Sequence, residues 1–168
     1  MYSKIYGDLN KALDNLQVLL SSISKDKINQ VPFEGSWTAG QLMDHTLKSL
    51  EGVNKVIHHK TGPAERAPDQ FISELEKLFL NFNIKMKAPE FAEPGLGPFE
   101  QLELITRLKK IQESMKQQKT EEELSQLCLA SEFPGFGLMT CLEWLHFALY
   151  HTIRHTRQLV GISDKLKT

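Results

Sequence analysis

Apolar residues in this chain recur at spacings of three and four, and they do not alternate. From Lys4 to Ser24, the residues Ile5, Leu9, Leu13, Leu16, Leu20 and Ile23 mark one face of a helix. No segment of four to eight residues has the period-two pattern with β-branched enrichment that a half-buried strand requires. A chain of 168 residues patterned this way must bury its helical stripes against one another. The expected fold is therefore an all-α four-helix bundle, one domain over residues 1–168, with short extra helices in the connections.

Capping signals place the other helices. Thr38 with Gln41 forms a T-x-x-Q capping box, so the second helix is predicted to start there and run to about His59. KTGPAERAP reads as a breaker-rich loop and FISELEKLFLNF as a minor helix. Ala88 to Pro98 holds three of the seven prolines and must be irregular. Its G-x-G follows no strand and lacks a third glycine, which excludes a phosphate loop. Leu104, Leu108, Ile111 and Met115 mark a third long helix from Phe99 to Gln118, followed by a short helix over TEEELSQLCLA. SEFPGFGLM reads as a loop. Thr140 and Glu143 form a second capping box ahead of the fourth long helix, expected to end near Gly161.

Charge and cysteine usage narrow the function classes. Twenty basic against 21 acidic residues give a net charge of −1, which supplies no field for nucleic acid or an anionic membrane. The chain has no apolar run of about 18 residues and its first residues carry no secretory pattern. Cys128 and Cys141, thirteen positions apart, form neither a CxxC pair nor a disulfide framework. Free thiols and a cytoplasmic location are expected.

The histidines carry the chemical signal. On the fourth helix, at about 100° per residue, Thr140, Trp144, Ala148, His151, His155, Gln158 and Ile162 share a stripe about 80° wide. His146 points about 140° away from His151, outside the site. On the second helix His45 lies about 50° from the centre of the stripe Leu42, Ser49, Val53 and Val56. Three imidazoles from two helices can thus converge in the bundle, where metal sites are built. Such a set suits zinc, nickel, copper or iron and leaves a position open for substrate. Spacing alone fits partly buried core histidines equally well. His58 and His59 read as cations at a helix C-terminus, and Asp44 as a solvated neighbour of His45. Gln158 reads as a donor to a ligand or a support for a ligating ring, and Trp37 as an aromatic wall. HTIRH lacks the glutamate of a zincin HExxH, which disfavours metalloprotease chemistry. For the triad to close, the second and fourth helices must be antiparallel neighbours. The mouth is then bordered by Phe33 to Gln41 and the Ala88 to Pro98 loop.

The segments SWTAGQLMDH, KMKAPEFAEP and FPGFGLMTCLEWLHFALYHTIRHTRQL resemble the DinB-like (YfiT-like) superfamily, whose pattern is met by Trp37, His45, Glu143, Trp144, His151, His155 and Gln158. The resemblance implies an up-down-down-up four-helix bundle, frequently a homodimer. It implies a divalent metal, nickel or zinc, on His45, His151 and His155. It also implies a small-molecule substrate, with a low-molecular-weight thiol such as bacillithiol, mycothiol or glutathione as cosubstrate. The expected function is that of a metal-dependent enzyme activating a thiol or water nucleophile, of thiol S-transferase or hydrolase type. The alternative is a non-catalytic, metal-stabilised or metal-free dimeric binding or stress-response module.

Overall fold

Three Thr residues start helices in the same way. In the computed structural model, which describes residues 2–167, Thr38, Thr120 and Thr140 each accept the N3 amide on the side-chain oxygen. In return the Gln41, Glu123 or Glu143 side chain accepts the Thr amide. The two boxes read from the sequence set the starts of α2 (Ala39–Ile57) and of the last helix. A helix α1 (Tyr2–Ser22) precedes them. A two-residue strand β1 (Thr61–Gly62) and a short α3 (Ile72–Phe79) follow α2. Next come α4 (Gln101–Met115), a single turn α5 (Glu121–Leu124), strands β2 (Leu127–Phe133) and β3 (Gly137–Thr140), and α6 (Cys141–Leu166).

The four long helices pack in a ring: α6 lies against α1 and α2, and α4 against the same two. Leu9, Leu13, Leu16 and Leu20 of α1 are fully buried, and each such side chain contributes about 1.5–3 kcal/mol of burial. Side-chain contacts fix how the helix ends meet. Gln101, first residue of α4, donates to the carbonyls of Leu20 and Ile23 at the end of α1. His45, early in α2, meets His155 in the later half of α6.

Two expectations are corrected. A three-stranded antiparallel sheet, ordered β1-β2-β3, stands where only helix and loop were expected. The stretch read as one helix stops at Leu124, and LCLASEF continues as β2. Cys128 is the only one of its seven residues that is buried, so the strand has no apolar alternation to betray it. Pairing of Thr61 with Cys128 and of Glu132 with Leu138 holds it instead. The PGFG segment, read as loop, turns this hairpin: Gly135 and Gly137 have φ of 83° and 71°, a region glycine enters without strain.

The second correction is that α6 passes through Gly161 and ends at Leu166. Burial of Ile162 and Leu166 outweighs the roughly 1 kcal/mol cost of an internal glycine. The histidines therefore lie near the middle of α6 rather than towards its end. Both cysteines are free and fully buried, their sulfurs 2.9 Å apart. No helix among the described residues is long and apolar enough to cross a membrane.

Candidate metal centre

The start of α2 is buried on nearly every side, and this brings His45 inward. Thr38 caps the helix. Gly40 lies so close to Phe99 that an added Cβ would sit 2.7 Å from its ring. One turn later His45 meets His151 and His155, which follow each other by one turn on α6. All three are buried.

Their Nε2 atoms converge: His155 Nε2 lies 3.1 Å from that of His45 and 2.9 Å from that of His151. One nitrogen from each lies within 4.8 Å of the others. Nitrogens at 2.0–2.1 Å around one tetrahedral ion stand about 3.3 Å apart, so small adjustments would admit a metal.

The rings are held in the form a ligand needs. His45 Nδ1–H donates to the Ala92 carbonyl at 2.7 Å, and His155 Nδ1–H to Gln158 Oε1 at 2.6 Å. Both acceptors fix the proton on Nδ1 and leave lone pairs on the two facing Nε2 atoms. Those lone pairs share no proton, and His151 has a single N–H to offer between them. His151 Nδ1 is buried without a partner. Charging the cluster is disfavoured. Burial lowers the His45 pKa, and it lowers His155 to about 3 with help from His45. Burial, then the two neighbouring imidazoles, hold His151 well below its ordinary range. Two facing lone pairs thus have at most the one N–H of His151 between them, and a divalent ion would serve as the missing electron-pair acceptor.

Other residues frame this group. The Trp37 ring lies 5.2 Å from His45, between centroids, and His151 contacts Phe79 and Phe147 at 6.0 and 5.1 Å. The triad opens into a cavity of about 1320 Å³, bordered by Phe33 to Trp37 and by the 86–91 loop, close to the expected mouth. Gln158 accepts from His155 through Oε1 and also lines the cavity. His58 donates to the Asn54 carbonyl at the end of α2, while His59 lines the cavity. His146 stays away from the triad as expected. It is half-buried rather than solvated, and burial lowers its pKa to about 4.

Asp44 corrects the sequence reading, because it is buried and fully engaged. It accepts from Arg107 at 2.7 Å, Gly95 N–H at 2.9 Å and Lys48 at 3.0 Å. Burial alone would raise its pKa, but these donors hold it below the ordinary carboxylate value. The network straps the 90–95 segment onto α2, which is how Ala92 reaches His45. Glu143 is likewise more than a cap. Arg66 grips it with two bonds of 2.8 and 2.7 Å, and it accepts the Phe71 amide, tying the 66–71 loop to α6. Nothing in local spacing signals these partners: Ala92 acts through its backbone, and Arg66 and Arg107 come from distant segments.

The fold has a counterpart among known proteins. The chain belongs to the DinB superfamily, whose family model matches residues 8–159. It is 26% identical over 159 residues to the uncharacterized protein YuaE of Bacillus subtilis (strain 168), covering 88% of this chain and 90% of that protein. Among solved structures it is similar to TT2238, described as a four-helix bundle protein. That likeness has a TM-score of 0.55 at 18% identity, covers 96% of this chain and 99% of the other, and concerns the fold.

Proposed function

We propose that this protein is a divalent-metal-dependent enzyme of thiol S-transferase or hydrolase type, with His45, His151 and His155 as ligands and nickel or zinc as the metal. The observation that carries the reading is the set of three facing Nε2 atoms, two of them fixed as lone-pair donors by Ala92 and Gln158. A divalent ion held there supplies Lewis acidity, which at neutral pH makes a nucleophile of a water or a low-molecular-weight thiol. The chain's own residues do the rest. Ala92 and Gln158 hold two rings in register, and Phe79, Phe147 and Trp37 shield the imidazoles from bulk water. No fourth His, Cys, Asp or Glu joins the group among the described residues, and the cavity reaches it, which favours an open site over a closed structural one.

We also read the helix directions as up-down-down-up. The α2–α6 contact at His45 and the α1–α4 contact at Gln101 support antiparallel pairs. The Asp44–Arg107 and Asn54–Ser114 contacts support a parallel α2 and α4.

Elemental analysis of the purified protein tests the metal reading. About one equivalent of a divalent metal is expected in the wild type and in His146→Ala, and none in His155→Ala. Wild-type protein that takes up no metal, or equal loss in both variants, overturns it.

A further inference from the structure

The cavity beside the triad is far larger than an ion and a water require, and its walls have a definite chemistry. Both tryptophans line it, together with five of the nine phenylalanines, Phe33, Phe79, Phe91, Phe133 and Phe147. Phe79, Phe133, Trp144 and Phe147 meet edge to face, with centroids 4.8–6.2 Å apart. Packed rings like these favour a further apolar or aromatic body over a polar one.

The charged lining is one-sided. Lys55, Lys87, Arg154 and Lys165 stand against a single carboxylate, Glu132, in a chain whose net charge is −1. Arg154 is committed to the backbone, donating to the carbonyls of Phe79, Asn81 and Ile84. Lys55 and Lys87 are exposed, so their charges face an arriving ligand. Lys55 lies ten residues beyond His45 on α2, about 15 Å along the helix axis. A ligand reaching from His45 to Lys55 has an extended body, with an anionic end at that lysine and a reacting end at the histidines.

We propose that the site takes an organic anion with an apolar, ring-bearing body, its acidic group drawn to the cationic lining that Lys55 and Lys87 provide and its body among the phenylalanines and Trp144 beside the triad. Placement of the reacting end rests on the metal reading; the selectivity of the cavity does not.

Two fluorescent probes of similar body and different charge test this on the full-length protein: anilinonaphthalene sulfonate and neutral phenylnaphthylamine. The sulfonate is expected to bind at one site per chain, about tenfold more tightly than the neutral probe, with the difference shrinking as salt is raised. The double variant Lys55→Gln/Lys87→Gln should lose about tenfold in sulfonate affinity and none for the neutral probe. Phe133→Leu should weaken both, with melting curves confirming that each variant is folded. Equal affinity for the two probes, indifference of the sulfonate to the lysine variant, or no saturable single site overturns the proposal. Metal content is measured in parallel. Protein that takes up metal but does not prefer the sulfonate overturns this proposal alone, and protein that prefers the sulfonate but takes up no metal overturns the metal reading alone.

Discussion

At the scale of single residues, burial keeps the histidines neutral, the form that a metal ligand needs. A neutral imidazole costs little to bury and a charged one costs a great deal, so the protein disfavours the proton at His45, His146, His151 and His155. Each pKa lies below its unfolded value, and the unfolded chain therefore binds more protons as pH falls through 6.5. The contribution to stability is complete above that pH and declines below it, down to the folded values of about 3 for His155 and about 4 for His146. Urea unfolding of metal-free protein should thus show a midpoint that falls steadily from pH 6.5 to 5, before the carboxylates take part. His146→Gln should make that fall shallower while leaving the triad untouched. A midpoint that is flat over this range would show that these imidazoles are charged in the folded state.

At the scale of elements, the site depends on how the start of α2 is clamped. Asp44 and Arg107 hold the 90–95 segment against the helix, and Ala92 then sets the His45 tautomer. Asp44→Ala removes the clamp without touching a ring. Metal affinity measured by calorimetry should fall about tenfold, the usual scale for losing an outer support of a ligating histidine. Unchanged affinity would mean that Ala92 holds its place unaided. One turn earlier, Gly40 admits no side chain. An added Cβ would meet the Phe99 ring at 2.7 Å and its Cβ at 2.9 Å. Phe99 has little freedom to retreat, because Asn29 bonds both its N–H and its carbonyl. Gly40→Ala should destabilise the protein by about 1–3 kcal/mol, read as a lower melting temperature, the cost of overpacking a filled space.

At the scale of the whole molecule, the core and the site are separable. The leucines of α1 that form much of the core do not line the cavity beside the triad, which lies between α2, α3, α6, β2 and the loops. Chelation should therefore leave far-ultraviolet circular dichroism unchanged and lower the melting temperature only by the binding free energy of the ion. Collapse of helical signal on chelation would mark a structural metal instead.

Sequence alone determined the four long helices, two of the three capping boxes and the face that carries His151 and His155. Those features depend on residues three or four positions apart, a distance over which helical geometry fixes what meets what. His45 was placed on an inward face by the same geometry, but its meeting with the other two depends on how α2 packs against α6. Tertiary structure alone decided the β2–β3 hairpin, whose strands pair through backbone atoms that every residue type shares. It also decided that α6 continues past Gly161, since burial of Ile162 and Leu166 outweighs a weak local preference. It turned Asp44 from a solvated charge into a buried clamp, because Arg107 lies 63 residues away in the chain. Local spacing sets which face a side chain takes, and only the packing of distant segments sets what it finds there.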